Sequence, residues 1–208
     1  MPISKPPLTA GRAPQRSNGI KRREALLNAA AQIITEAGLS GLTLHATARR
    51  ARSSIGSVYH FFSDKDQLLD ALRGRHRQDM SDIMGRIAEI STAEWKAMST
   101  AEVINSLFGR PILYYSAHPY ALQLHQVYEG QAVDAFLELV ENVMTIRLGS
   151  ARGPKIAKIL FAMSTGALAF MLDVQNAHKP ALVGEIPSVL EAYLAAQEAQ
   201  ALKVISRK

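Results

Sequence analysis

The sequence predicts an all-α chain in two parts, a small three-helix unit at the N-terminus and a longer helical bundle after it. Three observations lead there. Apolar residues recur at helical spacing from Lys21 almost to the end, nothing resembles a run of strands, and the breaks fall at Gly, Pro and capping residues. Apolar residues make up 48% of the 208, enough for a substantial core, and the modest Gly and Pro content excludes collagen-like and broadly disordered chains. Cysteine is absent, so disulfides, thiolate chemistry and Cys-based zinc sites are excluded. No apolar run approaches the roughly 18 residues of a membrane span, and residues 1–23 lack the apolar core of a signal peptide. A soluble, cytoplasmic protein with no membrane partner is expected.

Residues 1–19 combine Pro, Gly and polar side chains with little to bury, the pattern of a flexible basic arm. From Lys21 to Ala37, Ala25, Leu26, Ala29, Ala30, Ile33 and Ile34 share a helix face, and Gly38 ends the helix as its C′ residue. Thr43 caps a second helix that runs to about Ala51, with Leu44, Thr47, Ala48 and Ala51 inward. Arg52 and Ser53 make the turn. Ser54 then caps a helix from Ile55 to about Phe61, in which Val58 and Phe62 share the core side. Ser57 and Tyr59 lie away from that side and His60 near its edge. Ser63 with Asp66 three positions on reads as a capping box.

The remaining helical patterns are 66–91, 95–116, 119–128, 131–148, 154–177 and 185–205, with no internal repeat apparent. The stretch LFAMSTGALAFML, residues 160–172, is apolar on more than one face. With PSVLEAYLAAQEAQAL, residues 187–202, it can bury a stripe against a second copy. A four-helix seam at a two-fold axis, hence a homodimer through the two C-terminal helices, is the expectation.

Charge locates the function. Residues 1–65 carry ten Lys/Arg against three Asp/Glu, whereas the other 143 carry fourteen against fifteen. Concentrating the excess beside a three-helix signal suits a surface that faces phosphates, so sequence-directed binding of double-stranded DNA is expected. The arm's Arg12 and Arg16, and Lys21, Arg22 and Arg23 at the first helix start, are within reach of a backbone or a minor groove. Residues 1–19 are then the arm, 20–65 the DNA-binding domain and 66–208 the second domain. His45, His60, His76, His118, His125 and His178 show no metal-ligand spacing, and there is neither a Gly-rich phosphate loop nor a GxSxG elbow. No enzyme, metal or cofactor is expected. In the second domain Trp95, Phe108, Tyr114, Tyr115, Tyr128, Phe136, Phe161 and Phe170 have the composition of either a core or an apolar ligand cavity. Glu102, Arg110, Glu129 and Arg147 are candidate charged anchors.

The segments REALLNAA, EAGLSGLTLHATARRA and SSIGSVYHFFSDKDQLL resemble the TetR family of bacterial transcriptional regulators over residues 22–72. Ser54, Gly56, Ser57, Val58, Tyr59, Phe62, Lys65, Asp66, Leu68 and Leu69 all match the family pattern. The resemblance implies a helix-turn-helix in which Thr43 contacts phosphate and the Ser54–Phe61 helix enters the major groove. Gly56 would permit close approach, Ser57 would reach a base edge or phosphate, and Tyr59, His60 and Lys65 would hold the backbone. Ile55 replaces a frequent polar residue and suits a thymine methyl. Arg52 stands where the family has a turn glycine, Ser53 where it has a buried aliphatic and Thr47 where it has Ile. A positive φ at Arg52 would cost roughly 1 kcal/mol. Arg49, Arg50 and Arg52 add charge that favours any duplex. The resemblance further implies a homodimeric repressor on an operator with half-sites about 34–36 Å apart or slightly more, released by a small, mostly hydrophobic or aromatic effector. An activator, a regulator without a ligand and a non-specific architectural DNA binder remain open alternatives.

Overall fold

The computed structural model describes residues 15–127, 131–172 and 179–205. Helices are the only regular secondary structure among the described residues. The chain divides into two compact units, Met1–Leu69 and Asp70–Lys208.

The first unit contains α1 (Gln15–Gly41), α2 (Leu44–Arg50), α3 (Ile55–Phe61) and the start of α4 (Lys65–Ala88). Helix α1 begins six residues before Lys21, in a stretch whose sequence has no apolar period to read and where Asn18 and Ile20 are exposed. Its regular part stops at Gly38, whose φ of 69° suits a residue without Cβ. Leu26, Leu27, Ala30 and Ile34 are fully or almost fully buried in this unit, as are Leu42, Val58, Phe62 and Leu68. Thr47 is also buried, its hydroxyl donating to the Thr43 carbonyl at 2.9 Å.

Two caps stand where the hydroxyls suggested. Thr43 Oγ1 accepts the Ala46 amide at 3.0 Å and Ser54 Oγ the Ser57 amide at 3.2 Å. At α4 the cap is one residue later than the Ser63–Asp66 pattern implied. Asp64 accepts the Gln67 amide at 2.8 Å, while Gln67 Oε1 accepts the Ser63 amide at 3.0 Å. The α2–α3 turn is a Schellman motif: the Ser53 amide reaches the Ala48 carbonyl at 2.9 Å and the Arg52 amide that of Arg49 at 3.2 Å. Arg52 occupies its left-handed position with φ 50°.

The second unit continues α4 and adds α5 (Thr92–Ala97), α6 (Thr100–Ile104), a π-helical turn Asn105–Gly109, α7 (Arg110–Ala117), α8 (Pro119–Val127), α9 (Gln131–Leu148), α10 (Gly153–Phe170) and α11 (Lys179–Ile205). The helix expected over 95–116 is broken near Met98. Ser91 with Glu94, and Ser99 with Glu102, each form a complete capping box, so the repeated tetrapeptide STAE starts a helix twice. Helix α10 ends at Phe170, short of the expected 177. Helix α11 starts at Lys179 and not at Glu185, with Pro187 accommodated inside it. Leu107, Phe108, Val140, Met144, Leu160 and Leu194 centre the core of this unit.

One polar clasp ties four of its helices. Arg147 Nε donates to Glu198 Oε1 at 2.6 Å, and its Nη1 donates to the carbonyls of Trp95 and Met98 at 2.8 Å each. Glu198 Oε2 in turn accepts from the Thr100 hydroxyl at 2.5 Å. Among the described residues no helix is long and apolar enough to cross a membrane.

Candidate nucleic-acid interface and ligand cavity

Helix α3 is short, and two residues anchor it. Val58 and Phe62, 0% and 2% exposed, hold one side in the core of the first unit and thereby turn the other side outward. Tyr59 is 53% exposed, and its hydroxyl has no partner among the described residues. Ser54, Gly56 and His60 are exposed, while Ile55 and Ser57 are half-buried. A Cβ added to Gly56 would meet nothing within 4 Å, so the fold itself does not require glycine there. Gly56 stands in the first turn of α3, where glycine is a poorer helix former than alanine and no internal contact of this unit calls for it.

Thr43 is exposed at the start of α2, its oxygen accepting the cap bond. Lys65 is half-buried and donates to the Leu39 carbonyl at 2.7 Å, which pins the turn after α1 and leaves two ammonium protons for another acceptor. Arg22 is exposed on α1, and Arg23 lies over the Phe62 ring at 5.7 Å. Arg49 and Arg52 are exposed. Arg50 is instead engaged by Glu36, with Nη1 to Oε1 at 2.7 Å, and that hydrogen bond holds the Glu36 carboxyl below its ordinary range. Arg12 and the side chain of Arg16 lie outside the described residues.

The second unit holds a cavity of about 300 Å³. Its wall takes His76 and Met80 from α4, Phe108 from the π turn, and Pro111, Ile112 and Tyr115 from α7. Leu122, Phe136 and, from α10, Phe161, Ser164, Thr165, Gly166, Leu168 and Ala169 complete it. Of the aromatic candidates, Phe108, Tyr115, Phe136 and Phe161 are brought together there. Phe108 meets Phe136 edge-on at 5.7 Å, and Phe136 lies 6.1 Å from Phe161. Tyr114 is not among the wall residues. It stacks on His76 and His118. Trp95, 3% exposed, belongs to the core and not to the wall. Phe170 is 63% exposed and borders a second hollow of about 200 Å³ with Met163, Leu182, Ile186 and Val189. Tyr128 and Glu129 lie outside the described residues. None of the other charged anchors reaches the cavity: Glu102 caps α6, Arg147 sits in the clasp and Arg110 is exposed.

Of the polar groups on or behind the wall, Tyr114 and Tyr115 were among the sequence candidates, whereas His76, Asp79, Ser164 and Thr165 were not. His76 interrupts an apolar stripe along α4 made by Leu69, Leu72, Met80, Ile83 and Ile87. A histidine at the inward position of such a stripe is the signal that would have found it. Its Nδ1 lies 3.0 Å from the Tyr114 hydroxyl, which donates to Asp79 at 3.2 Å. Burial pushes the Tyr115 phenol up to about 12, and Tyr114 is raised as well, by burial first and then by Tyr120 and Asp79.

Residues 26–72 match the family described as bacterial regulatory proteins, tetR family. The HTH-type transcriptional regulator BetI of Burkholderia ambifaria is 31% identical over 143 residues, 67% of this chain and 70% of that protein. Two solved structures share the fold. A gamma-butyrolactone receptor (ArpA-like protein) aligns at TM-score 0.63 and 14% identity, covering 92% of this chain and 100% of its own. The Bacillus subtilis transcriptional regulator FadR, solved with stearoyl-CoA, aligns at 0.59 and 16%, covering 82% and 96%.

Proposed function

The chain belongs to the TetR family of bacterial transcriptional regulators, DNA-binding proteins and not enzymes, and we propose that it is a homodimeric repressor released from its operator by a small ligand. The observation that carries this reading is the outward face of α3. There a phenol without a partner among the described residues, a glycine with open space above it and the capping hydroxyl of Ser54 stand over two buried anchors. Such a helix enters a major groove without unpacking the unit that holds it. Tyr59, His60, Thr43 and Lys65 grip phosphates, Ser57 and Ile55 meet base edges, and Arg22 adds a further phosphate contact. The excess charge of residues 1–65 supplies the salt-dependent part of the affinity.

Two features of the second unit support dimerisation and ligand control. Helices α10 and α11 expose Ile159, Phe170, Leu182 and Val189, apolar surface of the kind a second copy covers. The aromatic cavity has the size and composition of a small-molecule site. Helix α4 contributes residues to both units, so a ligand that prefers one position of α4 shifts the spacing of the two recognition helices. A differential affinity of about 1–3 kcal/mol between the two states is typical of such coupling.

The test is a duplex selected by the protein from a random pool, titrated beside a scrambled duplex at matched salt. The wild type binds the selected duplex at least about a thousandfold more tightly. Tyr59→Ala weakens both duplexes, Ser57→Ala lowers the ratio, and a wild-type ratio near one contradicts the reading. A promoter-reporter strain lacking the gene fixes the sign, with derepression expected and loss of expression indicating an activator.

A further inference from the structure

Helix α10 stands between two hollows. Phe161, Ser164, Thr165, Leu168 and Ala169 line the aromatic cavity, whereas Met163, Ala167 and Phe170 line the smaller hollow shared with Leu182, Ile186 and Val189 of α11. Gly166 marks the border. It lines the cavity and is itself exposed, so the cavity reaches the surface there. Ile159, Met163, Gly166 and Phe170 also recur along α10 at the spacing of a helix–helix seam. Ile159 is 42% and Phe170 63% exposed, with Met163 half-buried between them. A Cβ on Gly166 would meet nothing within 4 Å, although glycine is the poorest helix former after proline. The described residues of its own chain thus give no reason for a glycine, and a surface that approaches the helix backbone closely does.

We infer that a second copy lies along this seam and closes the cavity at Gly166, so that each ligand site is completed by the partner subunit. The seam suits a copy of itself. Under a two-fold axis each exposed Phe170 is offered to the other chain's hollow of about 200 Å³, a self-complementary contact. The apolar side chains of Ile159, Met163 and Phe170, once covered, exclude water around the mouth, and the ligand is enclosed by both chains. Ligand affinity and dimer affinity are then linked, each changing the other by the same factor. The inference rests on the homodimer proposed above and adds what the second chain does for the cavity.

The chain has no cysteine, so Ser164→Cys places a single thiol on the cavity wall. Its reaction with neutral 4,4′-dithiodipyridine is timed in the full chain and in the same chain carrying Phe170→Glu and Val189→Glu, both at exposed positions. Sedimentation equilibrium should show a dimer and, with the two glutamates, a monomer. The thiol should react at least about tenfold more slowly in the dimer, because the reagent enters only when the copies part. Gly166→Trp crowds the seam from a position with open space at Cβ. It should raise the dimer dissociation constant at least about tenfold and leave the melting temperature of the monomeric variant unchanged. Equal thiol rates in dimer and monomer, or a thiol that reacts in neither, overturns the inference and leaves the homodimer standing. So does a Gly166→Trp dimer as tight as wild type, or a monomer destabilised by that tryptophan. A wild-type chain that is monomeric, or a dimer that survives both glutamates, instead contradicts the homodimer through α10 and α11 and removes the inference with it.

Discussion

The two units use polar side chains in opposite ways. In the first, Val58 and Phe62 fill the inner side of α3, and Tyr59 and His60 are turned out, with the exposed Ser54 capping the helix. In the second, His76, Ser164 and Tyr115 are turned inward around a cavity, and Arg147 with Glu198 is drawn into a clasp. An outward polar face is spent on a partner and contributes little to stability. An inward one must be satisfied where it stands, because an orphaned buried group costs more than a neutral one gains. Removing an outward polar side chain should therefore move affinity, and removing an inward one stability.

The largest effect is expected from Arg147→Ala, which strands the Glu198 carboxylate and two carbonyls. It should cost about 3 kcal/mol in denaturant titration. Arg147→Lys recovers only part of this, since an ammonium lacks the guanidinium's fork. A cost near zero for the alanine variant would erase the contrast between the units. Gly56→Ala should weaken the selected duplex about tenfold by placing a methyl group in the interface. The same change should raise stability by about 0.5–1 kcal/mol, since alanine is the better helix former. Finding both properties changed in the same direction would mean that Gly56 faces something other than DNA. Tyr59→Phe should lose about fivefold in duplex affinity, the worth of one hydrogen bond, with the melting temperature unchanged. Arg52→Gly relieves the left-handed residue of the α2–α3 turn and should stabilise by about 0.5–1 kcal/mol.

Acid should act on both units alike, and least of all. Glu36 is held down by Arg50, Asp64 by the Ser63 hydroxyl, Glu94 by the Ser91 hydroxyl and Glu102 by the Ser99 amide. Each folded value lies below its unfolded one, 4.5 for glutamate and 3.8 for aspartate. Their stabilisation is complete above those values and is lost as pH falls through the lower folded ones. Thermal melts between neutral pH and mild acid should show a small downward drift, removed in part by Glu94→Gln with Glu102→Gln.

The contrast also explains what the sequence disclosed. Around α2 and α3 the signals are local. Thr43 and Ser54 cap from their own positions, Val58 and Phe62 sit four apart, and Arg52 replaces a glycine at a turn whose geometry it then adopts. The cavity depends on helices far apart in the chain, so Phe108 and Phe161 on its wall were indistinguishable by spacing from Trp95 in the core and Phe170 on the surface. His76 passed for an ordinary polar residue because Tyr114 lies 38 positions away. The break near Met98 was legible all along in the doubled STAE tetrapeptide, but the apolar period on either side masked it.

The central claim, that the outer side of α3 meets the duplex, is tested most directly by photocrosslinking. A benzophenone side chain replaces Tyr59 in one sample and Leu113, an exposed residue of the second unit, in another. Illumination with the selected duplex should join DNA to the probe at 59 and not to the probe at 113. Crosslinks from 113 alone, or from neither position with the duplex demonstrably bound, would contradict it.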